Sequence, residues 1–183
     1  MSKALIIVDM QNDFITGALG SKEAQDIVDD IVKCAEKDFK HDRIIATMDT
    51  HDKDYLDTYE GKHLPIKHCI KNTPGWCLED RIYNIKDLFT VEKRSFGSET
   101  LMHKLREDFF NLNTVYLCGV CTDICVISNA LMIRSMLPEV KVVVFSNLCA
   151  GTTPEAHEAA LKVMQSCQVE VIEWNLQEDK KKG

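Results

Sequence analysis

Glycine and proline are scarce in this chain, at 8 and 4 of 183 residues, which excludes a collagenous repeat or a low-complexity chain. Long apolar runs are missing as well. None approaches the ~20 residues needed to cross a bilayer, so no membrane partner is expected. Positive charge is in deficit, with 22 basic against 29 acidic residues and a net charge of −7. A dedicated nucleic-acid binder needs clustered positive charge on its phosphate contacts, so no nucleic-acid partner is expected. The one basic run, Lys180-Lys181-Lys182, reads as a solvated tail. The chain opens with only five consecutive apolar residues before Asp9, too few for the apolar region of a secretory signal, and the expected location is the cytoplasm.

Cysteine is not scarce: there are eight. In a reducing cytosol they read as core, ligand or nucleophile rather than as a disulfide framework. Length and a 45% hydrophobic content fit one globular domain over residues 1–183.

Short runs rich in β-branched residues at 4–8, 43–48, 89–92, 114–117, 140–145 and 169–172 read as strands. Between them, apolar residues recur at helical spacing. Ile27, Val28, Ile31, Val32 and Ala35 form one such face, and Leu101, Met102, Leu105 and Phe109 a second. Val126, Ala130, Ile133 and Met136 form a third. The fourth comprises Ala156, Ala160, Leu161 and Met164, behind a cap at Thr152 or Thr153 and Pro154 in the first turn. Strand and helix alternate, so the fold expected is a doubly wound α/β domain with a parallel sheet covered on both faces. Residues 49–80 break the rhythm. They read as a loop of about thirty residues carrying several histidines, and loops of that length are commonly functional.

In open α/β sheets ligands bind beyond the carboxyl ends of the strands, so the residues there are the candidates for chemistry. The first strand is followed by Asp9, the second by Asp49-Thr50-His51, the third by Lys93. The fourth leads into Gly119-Val120-Cys121-Thr122-Asp123-Ile124-Cys125. Cys125 is the candidate nucleophile: in the first turn of a helix, unpaired N–H groups and the macrodipole would favour its thiolate and could hold a developing oxyanion. Asp9, partly desolvated at the end of an apolar strand, would have a raised pKa and suit proton transfer. Lys93 could stabilise the carboxylate and a charged intermediate.

Asp49, His51, Glu60 and His68 form a second constellation. Carboxylate and imidazole ligands suit a divalent ion, with zinc expected first and iron or manganese as alternatives. Asp49 and His51, two apart in extended chain, project from the same side. His63 reads as a solvated loop histidine, with a substitute ligand as its alternative. Cys118 and Cys121 make a C-x-x-C pair with no second such pair in the sequence, read as structural rather than redox-active.

The segments 4–14 (Ala4-Leu5-Ile6-Ile7-Val8-Asp9-Met10-Gln11-Asn12-Asp13-Phe14) and Asp49-Thr50-His51 carry a family resemblance. So do Leu64-Pro65 leading to His68-Cys69, Gly75 after Thr73-Pro74, Lys93 with Ser95-Phe96, and residues 119–126. Together they resemble the isochorismatase-like cysteine hydrolases and, among them, the nicotinamidases. The resemblance implies a three-layer α/β/α fold with a central, mostly parallel six-stranded sheet, and an Asp9-Lys93-Cys125 triad that hydrolyses a small amide through a thioester on Cys125. It implies an oxyanion hole from the N–H groups of Cys121 and Cys125, with a cis peptide between Val120 and Cys121. It places Phe14 against the substrate ring and a divalent metal on Asp49, His51, Glu60 and His68, holding the pyridine nitrogen of nicotinamide. A homo-oligomer serving NAD recycling is also implied. Two departures stand out: many of these enzymes have histidine where this chain has Glu60, and an aromatic residue where it has Pro65. The alternatives are another small amide or ureido substrate, or a non-catalytic small-molecule or redox module with Cys125 inert.

Overall fold

The computed structural model describes residues 2–107 and 111–175; Phe109 and the Lys180-Lys181-Lys182 run lie outside the described residues. Six strands, β1 (Ser2–Val8), β2 (Arg43–Asp49), β3 (Leu88–Lys93), β4 (Leu112–Val120), β5 (Lys141–Ala150) and β6 (Glu170–Ile172), form one sheet in the order β3-β2-β1-β4-β5-β6. Every neighbouring pair is parallel, so "mostly parallel" becomes wholly parallel. The reason is that every strand-to-strand connection contains helix; none is a hairpin.

β1 lies in the middle of the sheet, and Ala4, Leu5, Ile6, Ile7 and Val8 are all fully buried. A strand covered on both faces has no solvent side on which to place polar residues, which accounts for the unbroken apolar run. The edge strand β3 differs, with Phe89, Thr90 and Glu92 exposed and Val91 and Lys93 buried.

The helices are α1 (Asn12–Ile15), α2 (Lys22–Asp26), α3 (Val28–Asp38), α4 (Tyr59–His63), α5 (Asp80–Tyr83), α6 (Glu99–Glu107), α7 (Ile127–Met136) and α8 (Pro154–Ser166). From β1 to β3 the chain steps one way across the sheet, and from β4 to β6 it steps the other way. Right-handed crossovers therefore place the two sets of helices on opposite faces. In keeping with this, α3 packs on α5, and α7 on both α6 and α8.

The periodic faces are buried as expected at Ile27, Val28, Ile31, Ala35, Leu101, Met102, Leu105, Val126, Ala130, Ile133, Ala160, Leu161 and Met164. Met136, which closes α7, is instead exposed, and Ala156 is half-buried. Of the two candidate caps, Thr153 is the one used, its Oγ1 accepting from the Ala156 N–H at 3.1 Å. The long loop contains a 3-10 turn (Tyr55–Asp57) and then α4, capped by Thr58, whose Oγ1 accepts from the Gly61 N–H at 3.0 Å.

The strand order reverses between β1 and β4, and connections leaving these two strands depart to opposite faces, opening a crevice at their carboxyl ends. Gly119 lies in register with Val8 there, at φ 113°, and a Cβ on it would lie 2.2 Å from the Val8 carbonyl oxygen. Only glycine accepts both that dihedral and that approach.

Candidate active site and metal centre

Asp9 is the first residue beyond β1 and sits at φ 51°, a left-handed conformation uncommon outside glycine. Its N–H donates to the carbonyl oxygen of Thr47 at 3.2 Å, and Thr47 Oγ1 donates back to Oδ1 at 2.6 Å. Oδ2 lies 2.7 Å from Lys93 Nζ. That oxygen is paired by charge but takes no well-angled hydrogen bond from the described residues, and the Cys125 thiol is close enough to Asp9 to offer one.

Lys93 closes β3 in register with Asp49, the last residue of β2. Its Nζ also lies 3.1 Å from Asp49 Oδ1 and 3.4 Å from Cys125 Sγ. One ammonium thus touches two carboxylates and a thiol, all in the interior: Asp9 is 0%, Lys93 4% and Cys125 6% exposed.

Burial raises the Asp9 carboxyl above its ordinary value against the pull of Lys93, with the charge of Asp49 adding to the rise. Burial would lower Lys93, but Asp9, Cys125 and Asp49 hold its ammonium well above the usual lysine range. Cys125 departs from the sequence expectation. Burial first, and then the neighbouring Asp9, push its thiol well up, with Lys93 opposing in part.

The local backbone differs too. Residues Thr122–Val126 form a π-helical turn ahead of α7, in which the Cys121 carbonyl accepts from the N–H groups of Ile124 (3.1 Å) and Val126 (3.0 Å). Cys125 therefore does not occupy the first turn of an α-helix, and burial together with the neighbouring Asp9 favours its neutral thiol over the thiolate. The Val120–Cys121 peptide is cis.

Asp49, His51, Glu60 and His68 converge, each offering one ligand atom with all of these atoms within 4.8 Å of one another. His51 Nε2 lies 2.8 Å from Asp49 Oδ2 and 3.7 Å from Glu60 Oε1; His68 Nε2 lies 3.5 Å and 3.8 Å from the same two atoms. The Ile66 carbonyl can only accept, so Nδ1 of His68 carries a proton toward it at 2.8 Å, which fixes the ring with Nε2 turned into the cluster. Two imidazoles and two carboxylates around one point fit a divalent cation.

Burial would raise the Asp49 carboxyl. Hydrogen bonds from His51 and His68 and the charge of Lys93 overcome it and hold Asp49 well below the usual carboxylate range. Asp49 is thus common to both constellations, one oxygen toward Lys93 and the other toward the histidines. The rings pack as a ladder, with centroids 5.5 Å apart for Phe14 and His68, 5.0 Å for Tyr55 and His68, 4.8 Å for His51 and His68, and 4.6 Å for His51 and Tyr55. His63 lies outside the cluster, its Nδ1 bonded to the Tyr59 carbonyl at 2.8 Å and its ring against Tyr59.

Two further residues support the site. Gln11 is fully buried and spends its whole side-chain amide on backbone. It accepts from the Asp49 N–H at 2.7 Å and donates to the carbonyls of Asp49 (2.8 Å) and Trp76 (2.7 Å). Asp13 Oδ2 accepts from the Cys69 N–H at 2.7 Å, holding the residue after His68, which is itself left-handed at φ 46°. Both lie in the Asp9–Phe14 hexapeptide, so the signal was the density of polar residues directly after a buried strand.

The two constellations share a cavity of about 400 Å³, lined among others by Phe14, Leu64, Phe96 and Ile124 along with Glu60, His68, Cys121 and Cys125. Phe96 gives the cavity an aromatic wall that Pro65 cannot. Cys118 lies buried within β4, its Sγ 3.8 Å from the Ile6 carbonyl, and both it and Cys121 are free thiols.

Comparison with known proteins agrees with this geometry. The model of the Isochorismatase domain matches residues 3–175. A nicotinamidase of Schizosaccharomyces pombe is 30% identical, the match covering 92% of each chain. A nicotinamidase/pyrazinamidase of Bacillus subtilis superposes with a TM-score of 0.82 at 31% identity, covering 94% of this chain and 100% of the other. A pyrazinamidase of Pyrococcus horikoshii in complex with zinc gives 0.80 at 28% identity, covering 95% and 100%. Family model, relatives and architecture agree: this chain belongs to the isochorismatase family.

Proposed function

We propose that the chain is a metal-dependent nicotinamidase, converting nicotinamide and water to nicotinate and ammonia. The observation that carries this reading is one cavity lined both by the Cys125 thiol, with Asp9 and Lys93 against it, and by ligands of the Asp49-His51-Glu60-His68 donor set. The nicotinamidase activities of the relatives support the substrate.

In the proposed mechanism Asp9 takes the Cys125 proton as the sulfur attacks the carboxamide carbon. The raised affinity of Asp9 for protons suits it to pass that proton to the departing ammonia. The N–H groups of Cys121 and Cys125 receive the charge developing on the carbonyl oxygen. Water then adds to the thioester with Asp9 again as base, and the thiol is regenerated. Lys93 keeps its charge throughout and holds Asp9 and the sulfur in contact. Phe14 and Phe96 flank the ring and exclude water.

Asp49, His51, Glu60 and His68 would hold a divalent ion, zinc first and iron or manganese as alternatives, which supplies an electropositive anchor for the pyridine nitrogen. The rest of the reading is a cytoplasmic homo-oligomer in NAD recycling.

Ammonia release from nicotinamide and from a panel of other small amides tests the substrate. Nicotinamide is expected to be the fastest, and activity confined to other amides would defeat it. Elemental analysis tests the donor set: about one metal ion per chain is expected in the parent, with at least tenfold less in His68→Ala, since a four-ligand site depends on each ligand. An active, metal-free parent would contradict the assignment.

A further inference from the structure

Thr122 lies in the nucleophile turn between Cys121 and Cys125, and it is fully buried. Its hydroxyl sits 2.8 Å from Nδ1 of His157, a half-buried residue of α8 whose ring the chemistry above does not use. The next residue in the turn is tied to the same region: Asp123 Oδ1 accepts from the Thr152 N–H at 2.8 Å, and Asp123 Oδ2 accepts from the Thr152 hydroxyl. Gly151 makes room for both ties, since a Cβ on it would lie 2.8 Å from His157 Cβ and 3.0 Å from Asp123 Oδ1. The segment leading from β5 into α8 therefore grips the turn from outside, while the bonds from Cys121 O to Ile124 and Val126 close it from within.

We propose that His157 is a positioning residue: through the Thr122 hydroxyl it holds the nucleophile turn where the N–H groups of Cys121 and Cys125 meet the charge that builds on the substrate oxygen. The inference rests on the thioester reading. Its physical basis is that an oxyanion site works only if preorganised, and a displacement of about 1 Å can cost on the order of 10²-fold in rate. The Thr122 hydroxyl can donate to Nδ1 or accept from it, so the tie survives either ring tautomer. Asn129 of α7 makes a further tie, donating to the Cys125 carbonyl at 2.8 Å, so the nucleophile has a second anchor and removal of one should shift it rather than unfold it.

The test compares His157→Ala, His157→Asn, Thr122→Val and the double variant His157→Ala/Thr122→Val. Rates are taken per Cys125 thiol titrated, and thermal midpoints are recorded. An interaction felt mainly in the transition state lowers kcat and leaves KM in place, so His157→Ala is expected to lose about 10- to 100-fold in kcat with KM changed less than about twofold. Asparagine places an amide atom where Nδ1 stood, at the same bond separation from Cβ, and is expected to restore kcat to within about threefold of the parent. Thr122→Val should match His157→Ala, and the double variant should be no worse than either, because both remove one bond.

A His157→Ala kcat within threefold of the parent, an asparagine variant as impaired as alanine, or losses that multiply in the double variant would each overturn the proposal. The variants are run on whichever amide the parent turns over fastest. A parent inactive on nicotinamide but active on another amide defeats the substrate reading alone, and a parent that releases ammonia from no amide defeats both.

Discussion

Cys125→Ala is expected to lower ammonia release from nicotinamide by about 10⁴-fold or more, because the sulfur that forms the acyl intermediate, the one in contact with Lys93, is gone. Asp9 and Lys93 remain in the variant. What is lost is the atom that splits one difficult displacement into two easier ones, and water would have to attack the amide directly. Structurally the change is small: one sulfur atom is removed from a well-packed site, at a cost of roughly 1 kcal/mol. Metal content and circular dichroism should match the parent, which separates a chemical loss from a folding loss. Turnover above roughly 1% of the parent would exclude the thioester route.

Lys93→Met is expected to damage fold and activity together. The lysine offsets two carboxylates, Asp9 and Asp49, and all three side chains are almost wholly removed from water. Removing one partner of a buried ion cluster leaves uncompensated charge, typically about 3–5 kcal/mol, which for a chain of this size lowers the thermal midpoint by roughly 6–20 °C. Activity should fall by at least about 10²-fold, since the carboxylate that takes the thiol proton loses the cation that orients it. A thermal midpoint within about 2 °C of the parent would mean that Lys93 carries no such load.

Much of the fold could be read in the sequence where burial is complete. β1 is recognisable because a central strand of a parallel sheet is apolar at every position. For β5 the sequence pattern ends at Phe145, because Ser146 and Asn147 interrupt the apolar run. In the structure the strand continues to Ala150, with the Asn147 side chain bonding the Trp174 backbone in both directions at 2.8 Å. That compensation joins residues 27 apart, and no local pattern signals it. The helices α1, α2, α4 and α5 have at most five residues each, too few to show a period of 3.6 twice.

At the site, Asp9, Asp49, Lys93 and Cys125 could be found because each lies at or beyond the carboxyl end of a strand, and strand ends meet at one edge. The effect of burial on Cys125 could not be read in the same way. Sequence placed the thiol near a helix start, where a lowered pKa is expected, but the degree of desolvation depends on everything packed above it. Thr47, Gln11 and His157 act through partners 35 to 38 residues away, so their roles emerge only once the chain is folded.

The ladder of rings from Phe14 through His68, Tyr55 and His51 has a consequence for how an ion is captured. Flexible ligands must surrender rotational freedom when they close on a cation, roughly 0.5–1.5 kcal/mol for each side chain immobilised. Here the two imidazoles are wedged in place by their neighbours, so most of that loss is met during folding and little remains at the moment of capture. A stiff cradle of this kind adapts poorly to ionic radius, and selection among cations falls to the size of the gap.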